Sequence, residues 1–212
     1  MPPNSTAIMD LAHLRARGTG AVAELFQKYR HRLERMVALR LDHRLQCRLD
    51  PSDVLQEGYL EAARRIGEFL DRPDVSFFVW LRQLTWQALV AQHRRHLSQK
   101  RDPRRETSAE ARLPNSNTTL ILAQQIACTQ TTPSRLVMRA ERDEILRDAI
   151  EALAETDREV ILLRHFEQLS NAEAAEVLGL SPTAASNRYV RALNRLKEAL
   201  NAGTDLANLS FR

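Results

Sequence analysis

The sequence predicts an all-α protein: two small helical domains joined by a flexible linker, the C-terminal one with a helix-turn-helix. Three observations predict it. Leu, Ala, Arg and Glu dominate the 212 residues while aromatics make up only 5%, a balance that favours helices. Apolar residues recur at three- and four-residue spacing in two blocks, separated by a stretch rich in Pro, Ser, Thr, Asn and Gln. Near the C-terminus, residues 169–196 carry start and stop signals in the order that two helices and a tight turn require. The expected organisation is an N-terminal helix or extension (1–19), a first domain (20–97), a linker (98–135), a second domain (136–200) and a tail (201–212).

The hydrophobic content of 43% is enough for a core, and the formal net charge of +4 leaves the distribution of charge to decide what the protein meets. Cys47 and Cys128 are far apart and match no metal spacing, so reduced, incidental thiols are expected. Residues 1–7 show no basic start followed by an apolar run, and no apolar run approaches membrane-spanning length. A soluble, cytoplasmic chain without membrane insertion is expected.

In chain order, Met9 to Arg17 forms a short helix ended by Gly18 and Gly20. The next helix carries Val22, Leu25, Phe26, Tyr29, Leu33, Met36, Val37 and Leu41 on one face, with Lys28, Arg30, Arg32, Glu34, Arg35 and Arg40 on the other. His43 and Cys47 stand four apart but have no further ligand nearby, so no metal is expected there. Asp50 caps a third helix with Pro51 in its first turn. Val54, Leu55, Ala62, Ile66 and Phe69 form its buried face, and Asp53, Gln56 and Glu57 are exposed within one turn opposite. Acidic residues there suit the helix dipole and also make a docking patch for a basic partner.

Pro73 breaks the helix, and a loop from Asp71 to Ser76 leads to a fourth helix beginning near Ser76 or Phe77. Leu81, Leu84, Ala88 and Ala91 share one face of it, with Phe77 and Trp80 joining the core. Trp86 falls off the stripe, and either packs or stacks on a base. The helix ends in the most basic stretch of the chain, His93-Arg94-Arg95-His96, followed by Lys100-Arg101 and Arg104-Arg105. Cations running from a helix into a linker are the footprint expected along phosphates. Within the linker only residues 120–126 form an apolar island.

The second domain resumes at Leu136, with Ile145, Leu146, Ala149, Ile150 and Leu153 on one face. Thr156 to Glu159 reads as a capping box opening the next helix, buried through Val160, Ile161 and Phe166. Ser170 with Glu173 makes a second capping box. Gly179 suits a left-handed stop, and Ser181 caps a last helix with Pro182 in its first turn. A short helix, a glycine turn and a longer basic helix make a helix-turn-helix, whose second helix enters the major groove of DNA. On it Ala185, Tyr189, Ala192, Leu193 and Leu196 point inward, and Thr183, Ser186, Asn187, Arg188, Arg191 and Arg195 point outward or sideways. Asn and Arg make bidentate contacts to adenine and guanine. Ser186, Asn187, Arg188 and Arg191 are therefore base or near-base candidates, and Arg195 and Lys197 are backbone candidates or simply solvated.

Taken together, these parts resemble a bacterial RNA polymerase sigma factor of the two-domain, extracytoplasmic-function type. Leu25-Phe-Gln-Lys-Tyr29 resembles the opening of sigma region two. Asp50 through Ala63 resembles the helix that docks on polymerase. Phe77 through Arg95, with Trp80-Leu81 and Arg94-Arg95, resembles the promoter-melting helix. Asp157 through Leu196 resembles region four. The resemblance implies that Asp53, Gln56 and Glu57 hold core RNA polymerase. It implies that Asp71, Arg72, Asp74 and Ser76, with Arg94 and Arg95, meet the −10 element. Thr183, Ser186, Asn187, Arg188, Arg191 and Arg195 would meet the −35 element of promoter DNA. Control by a separate anti-sigma protein is typical of such factors. Ala174 stands where a larger aliphatic is commoner, and Ser186 to Tyr189 departs from the commonest wording of the recognition helix.

Two other readings are a helix-turn-helix regulator that is not a polymerase subunit and a helical interaction module that binds no DNA. An enzyme is not expected, and neither is a cofactor. No nucleotide-binding glycine loop, metal cluster or nucleophile-base pattern is present in the sequence.

Overall fold

The computed structural model describes residues 5–41, 49–98 and 145–210, in two compact units, Met1–Leu113 and Pro114–Arg212. The His43/Cys47 pair, Cys128, the basic run 100–105, the island 120–126 and nearly all of the expected linker lie outside the described residues. So do residues 136–144. No strand occurs among the described residues.

The first unit is built from α1 (Ser5–Arg17), α2 (Thr19–Arg40), α3 (Pro51–Asp71) and α4 (Phe77–Ser98). The first helix begins earlier than Met9. Its Asp10 and Leu14 are buried, and the Asp10 carboxylate accepts from Lys28 Nζ at 2.6 Å and from the Tyr29 hydroxyl of α2. Gly18 turns the chain between α1 and α2 with φ 55°, a conformation that costs glycine little. At this corner His13 and Arg17 both bond the Glu24 carboxylate. The His13 hydrogen bond, with Arg17 beside it, holds that carboxyl below its ordinary range.

The expected apolar face of α2 is buried throughout, from Val22 to Val37 and on to Leu41. On α3, Val54, Leu55, Ala62, Ile66 and Phe69 are buried as their spacing predicts. Asp50 caps this helix by accepting from Ser52 N at 2.8 Å. Its C-terminal end carries Phe69, which stacks on Trp80 at 4.7 Å between ring centroids and meets the edge of Phe77 at 5.7 Å.

The four-residue stripe expected on α4 is corrected. Ala88 and Ala91 are half-buried, while Phe77, Phe78, Val79, Leu81, Leu84, Leu89 and Val90 are buried. The reason is that α4 packs against α1, α2 and α3 together, so it needs apolar residues nearly all round. Trp86 packs: it is half-buried beneath the Arg40 guanidinium, 5.0 Å from the ring centroid. Gly58 lets α3 and α4 approach, because a Cβ there would lie 2.7 Å from Thr85 Oγ1 and 3.1 Å from Thr85 Cα.

The second unit comprises α5 (residues 145–151), α6 (Glu155–Ile161), α7 (Asn171–Leu178) and α8 (Pro182–Ser210). A single π-turn, Leu162–Phe166, continues α6. Leu146, Ala149, Ile150, Leu153, Val160, Ile161, Leu162, Ala192 and Leu196 form its core, with Phe166 and Tyr189 packed against it.

Three expectations are corrected in this unit. The capping box at Thr156 does not form: α6 starts at Glu155 after Ala154, without a side-chain cap. Asp157 is instead buried and paired with Arg195. Leu193 is 37% exposed rather than inward, because it sits at the margin of the stripe defined by Ala185, Ala192 and Leu196. The last helix runs on to Ser210, so part of the expected tail is helical.

Candidate nucleic-acid interface

The hinge of the second unit is the α7-turn-α8 corner, and its geometry is set locally. Glu173 N donates to Ser170 Oγ at 3.2 Å, and Ser170 N donates to Glu173 Oε2 at 2.7 Å. That reciprocal pair satisfies donors which the helix start leaves free. At the other end Gly179 adopts φ 64°, ψ 33°. Its N–H reaches Glu176 O at 3.3 Å and that of Leu180 reaches Ala175 O at 2.9 Å, which is the Schellman closure. Ser181 Oγ then accepts from Ala184 N at 3.2 Å and opens α8.

Two further features hold the corner. Asn171 Nδ2 donates to the Pro182 carbonyl at 2.7 Å, tying the start of α7 to the start of α8. Ala174, Ala175 and Ala185 are buried where the helices meet, with exposures of 0%, 1% and 0%. Small side chains permit this close approach, with Ala174 fully buried in it.

On α8, Thr183, Ser186, Asn187 and Arg191 are exposed, while Arg188 is half-buried. Arg191 Nε donates to Asn187 O at 3.3 Å across one turn. Arg195 is placed differently from the expectation. It bonds the carboxylate of Asp157, whose side chain is only 6% exposed, although Arg195 itself remains 57% exposed. It therefore braces α8 against α6. Tyr189 lies beneath Arg164, 5.5 Å from the ring centroid, and Arg164 NH1 donates to Leu169 O at 2.6 Å.

In the first unit Asp53 and Gln56 are exposed on the first turns of α3. Glu57 is not free beside them as expected. It is half-buried, and its Oε1 accepts from Gln92 Nε2 at 2.8 Å and Arg95 NH1 at 3.1 Å of α4. A docking carboxylate and a phosphate-binding cation of the expected sets thus hold each other. Arg94 is exposed. Asp71 ends α3, and Arg72 and Asp74 are exposed in the loop. Ser76 is half-buried and its carbonyl starts α4 by accepting from Trp80 N at 3.0 Å.

Besides Ile8 and Met9 of α1, sequence reading missed two exposed apolar residues on the candidate elements. Leu60 is 52% exposed, and follows Asp53, Gln56 and Glu57 at the next turn of α3. Val190 is 53% exposed on α8. Both lie off their helix's buried stripe, and that was the available signal. Among the described residues no group of acidic, His or Cys side chains is arranged to hold a metal. No described helix is long and apolar enough to cross a membrane.

These features define a helix-turn-helix protein with a basic, solvent-facing second helix. Residues 143–196 match the family model for sigma-70, region 4. The chain is similar to the RNA polymerase sigma-H factor of Pseudomonas aeruginosa, 26% identical over 83% of this chain and 84% of that one. It is similar to the RNA polymerase sigma-E factor of Streptomyces antibioticus, 45% identical over 26% of this chain and 31% of that one. Among solved structures it resembles CnrH in complex with the cytosolic domain of CnrY, at 22% identity and a TM-score of 0.48, covering 92% of this chain and 96% of that chain. Residues 143–196 thus match a sigma-70 region 4 domain, and the chain is similar to RNA polymerase sigma factors.

Proposed function

We propose that this chain is an initiation sigma factor of the extracytoplasmic-function type. It binds core RNA polymerase, directs it to promoters through −10 and −35 elements and helps to melt the DNA. The observation that carries this reading is the capped helix-turn-helix within the matched region, with Thr183, Ser186, Asn187 and Arg191 on the solvent face of α8. The second unit acts as region four and the first as region two.

In this reading Asp53 and Gln56 meet the polymerase directly. Glu57 joins them through the part of its carboxylate left free by Gln92 and Arg95, which bond its Oε1 from the element that would hold DNA phosphates. Asp71 at the end of α3 and the exposed loop residues Arg72 and Asp74, with Ser76 at the loop's end, face the −10 element, with Arg94 and Arg95 on the backbone. Asn187 and Arg191 have the chemistry to read adenine and guanine in the major groove. Phosphate contacts supply affinity that falls steeply with salt. An anti-sigma protein is the kind of regulator that the family resemblance implies.

The test is in vitro transcription with purified core polymerase and a promoter library. Initiation at a defined set of promoters only when the chain is added is the expected result. Unchanged initiation, or DNA binding that needs no polymerase and leads to none, favours an independent helix-turn-helix regulator.

A further inference from the structure

Between Thr183 and Arg195 the exposed residues of α8 are polar or cationic except Val190 and Leu193. Thr183, Ser186, Asn187 and Arg191 surround Val190, which is 53% exposed. Val190 lies seven residues after Thr183 and three after Asn187, so the three share one side of the helix. That side is turned away from the stripe of Ala185, Ala192 and Leu196 that packs into the core. The neighbouring exposed residue Leu193 is explained by its place at the margin of that stripe. Val190 has no such explanation. A β-branched residue is also a poorer helix former than the Lys or Arg that normally fill exposed positions, so helix stability does not select it.

We propose that Val190 is a specificity residue that reads the C5-methyl of a thymine in the −35 element. The inference rests on the sigma-factor reading and adds one base contact to it. Of the groups displayed in the major groove, only the thymine methyl is apolar, and small aliphatic side chains meet it by direct contact. The surroundings favour DNA over a protein partner. Among residues 182–198 the charged groups are Arg188, Arg191, Arg195, Lys197 and a single acid, Glu198. The face is therefore complementary to phosphate, with Val190 as the apolar residue among Thr183, Ser186, Asn187 and Arg191.

The test uses the full chain with core polymerase. A promoter library first defines the preferred −35 duplex, and each thymine of it is then replaced singly by deoxyuridine, which removes only the methyl. The native chain is expected to lose about fourfold in initiation at one position, the size of one buried methyl group. Val190→Ser is expected to show the same loss with thymine present and no further loss with deoxyuridine. A native chain indifferent to every replacement overturns the inference, as does a Val190→Ser chain that keeps the full methyl dependence. An equal loss on thymine and deoxyuridine templates at all positions also overturns it. Absence of any promoter-specific initiation removes the sigma-factor reading itself, so the two failures are distinct.

Discussion

Arg195→Ala tests whether this side chain belongs to the DNA or to the fold. The Asp157 carboxylate is 6% exposed and Arg195 NH1 donates to it. Removing the guanidinium leaves a buried carboxylate without its cation. Breaking a fully buried pair costs about 3–5 kcal/mol because the remaining charge is uncompensated. Here the Arg195 side chain is 57% exposed, so water screens the pair and can reach the carboxylate after substitution. A charge-assisted hydrogen bond at such a margin contributes about 1.5–3 kcal/mol. We expect Arg195→Ala to lose about 2 kcal/mol, which lowers the melting temperature of the second unit by about 8–16 °C.

Calorimetry of the full chain reads this directly. Asp157→Asn with Arg195→Ala in one chain should recover part of the loss, since the amide no longer needs a cation. A melting temperature unchanged by Arg195→Ala, together with weaker promoter binding, would falsify the bracing role and return Arg195 to the phosphate contacts expected from its position in sequence.

Three other outcomes are expected. Gly58→Ala gains about 1 kcal/mol of helix propensity, but its methyl meets Thr85 Oγ1 at 2.7 Å and the Thr85 backbone at 3.1 Å. Overpacking of this kind costs about 1–3 kcal/mol, so denaturant titration should show net destabilisation of the first unit. Gln168 holds a left-handed φ of 58°, which costs a non-glycine residue about 1–2 kcal/mol. Gln168→Gly should therefore raise stability by up to about 1 kcal/mol after the entropic penalty of glycine, seen as a higher urea midpoint. Asp53→Ala should weaken capture by core polymerase while costing no more than about 1 kcal/mol of stability, the size of its helix-dipole interaction. Glu57→Ala should weaken capture and cost up to about 1 kcal/mol as well, because its Arg95 contact is partly exposed.

Much of the fold was legible in local signals. The capping box at Ser170, the left-handed Gly179 and the cap at Ser181 were readable because each depends on residues within one turn. The buried faces of α2 and α3 followed from spacing, since each helix keeps a broad solvent-facing side. Spacing failed on α4 because the first unit closes around it on several sides. It failed at Thr156 because α6 starts at Glu155 after Ala154, which places Thr156 inside the first turn rather than at the cap.

The candidate site divides in the same way. Sequence alone established the helix-turn-helix, the polar outer face of its second helix, the acidic start of α3 and the basic end of α4. These follow from residue type and helical period. Only the tertiary structure decided which of those charges already have partners. It engages Glu57 with Gln92 and Arg95, pairs Arg195 with Asp157, seats Trp86 under Arg40, and leaves Val190 in solvent. The physical reason is range. Caps and amphipathic stripes are set over one or two turns of chain, whereas an ion pair or an uncovered side chain depends on what a distant helix brings to, or withholds from, the same place.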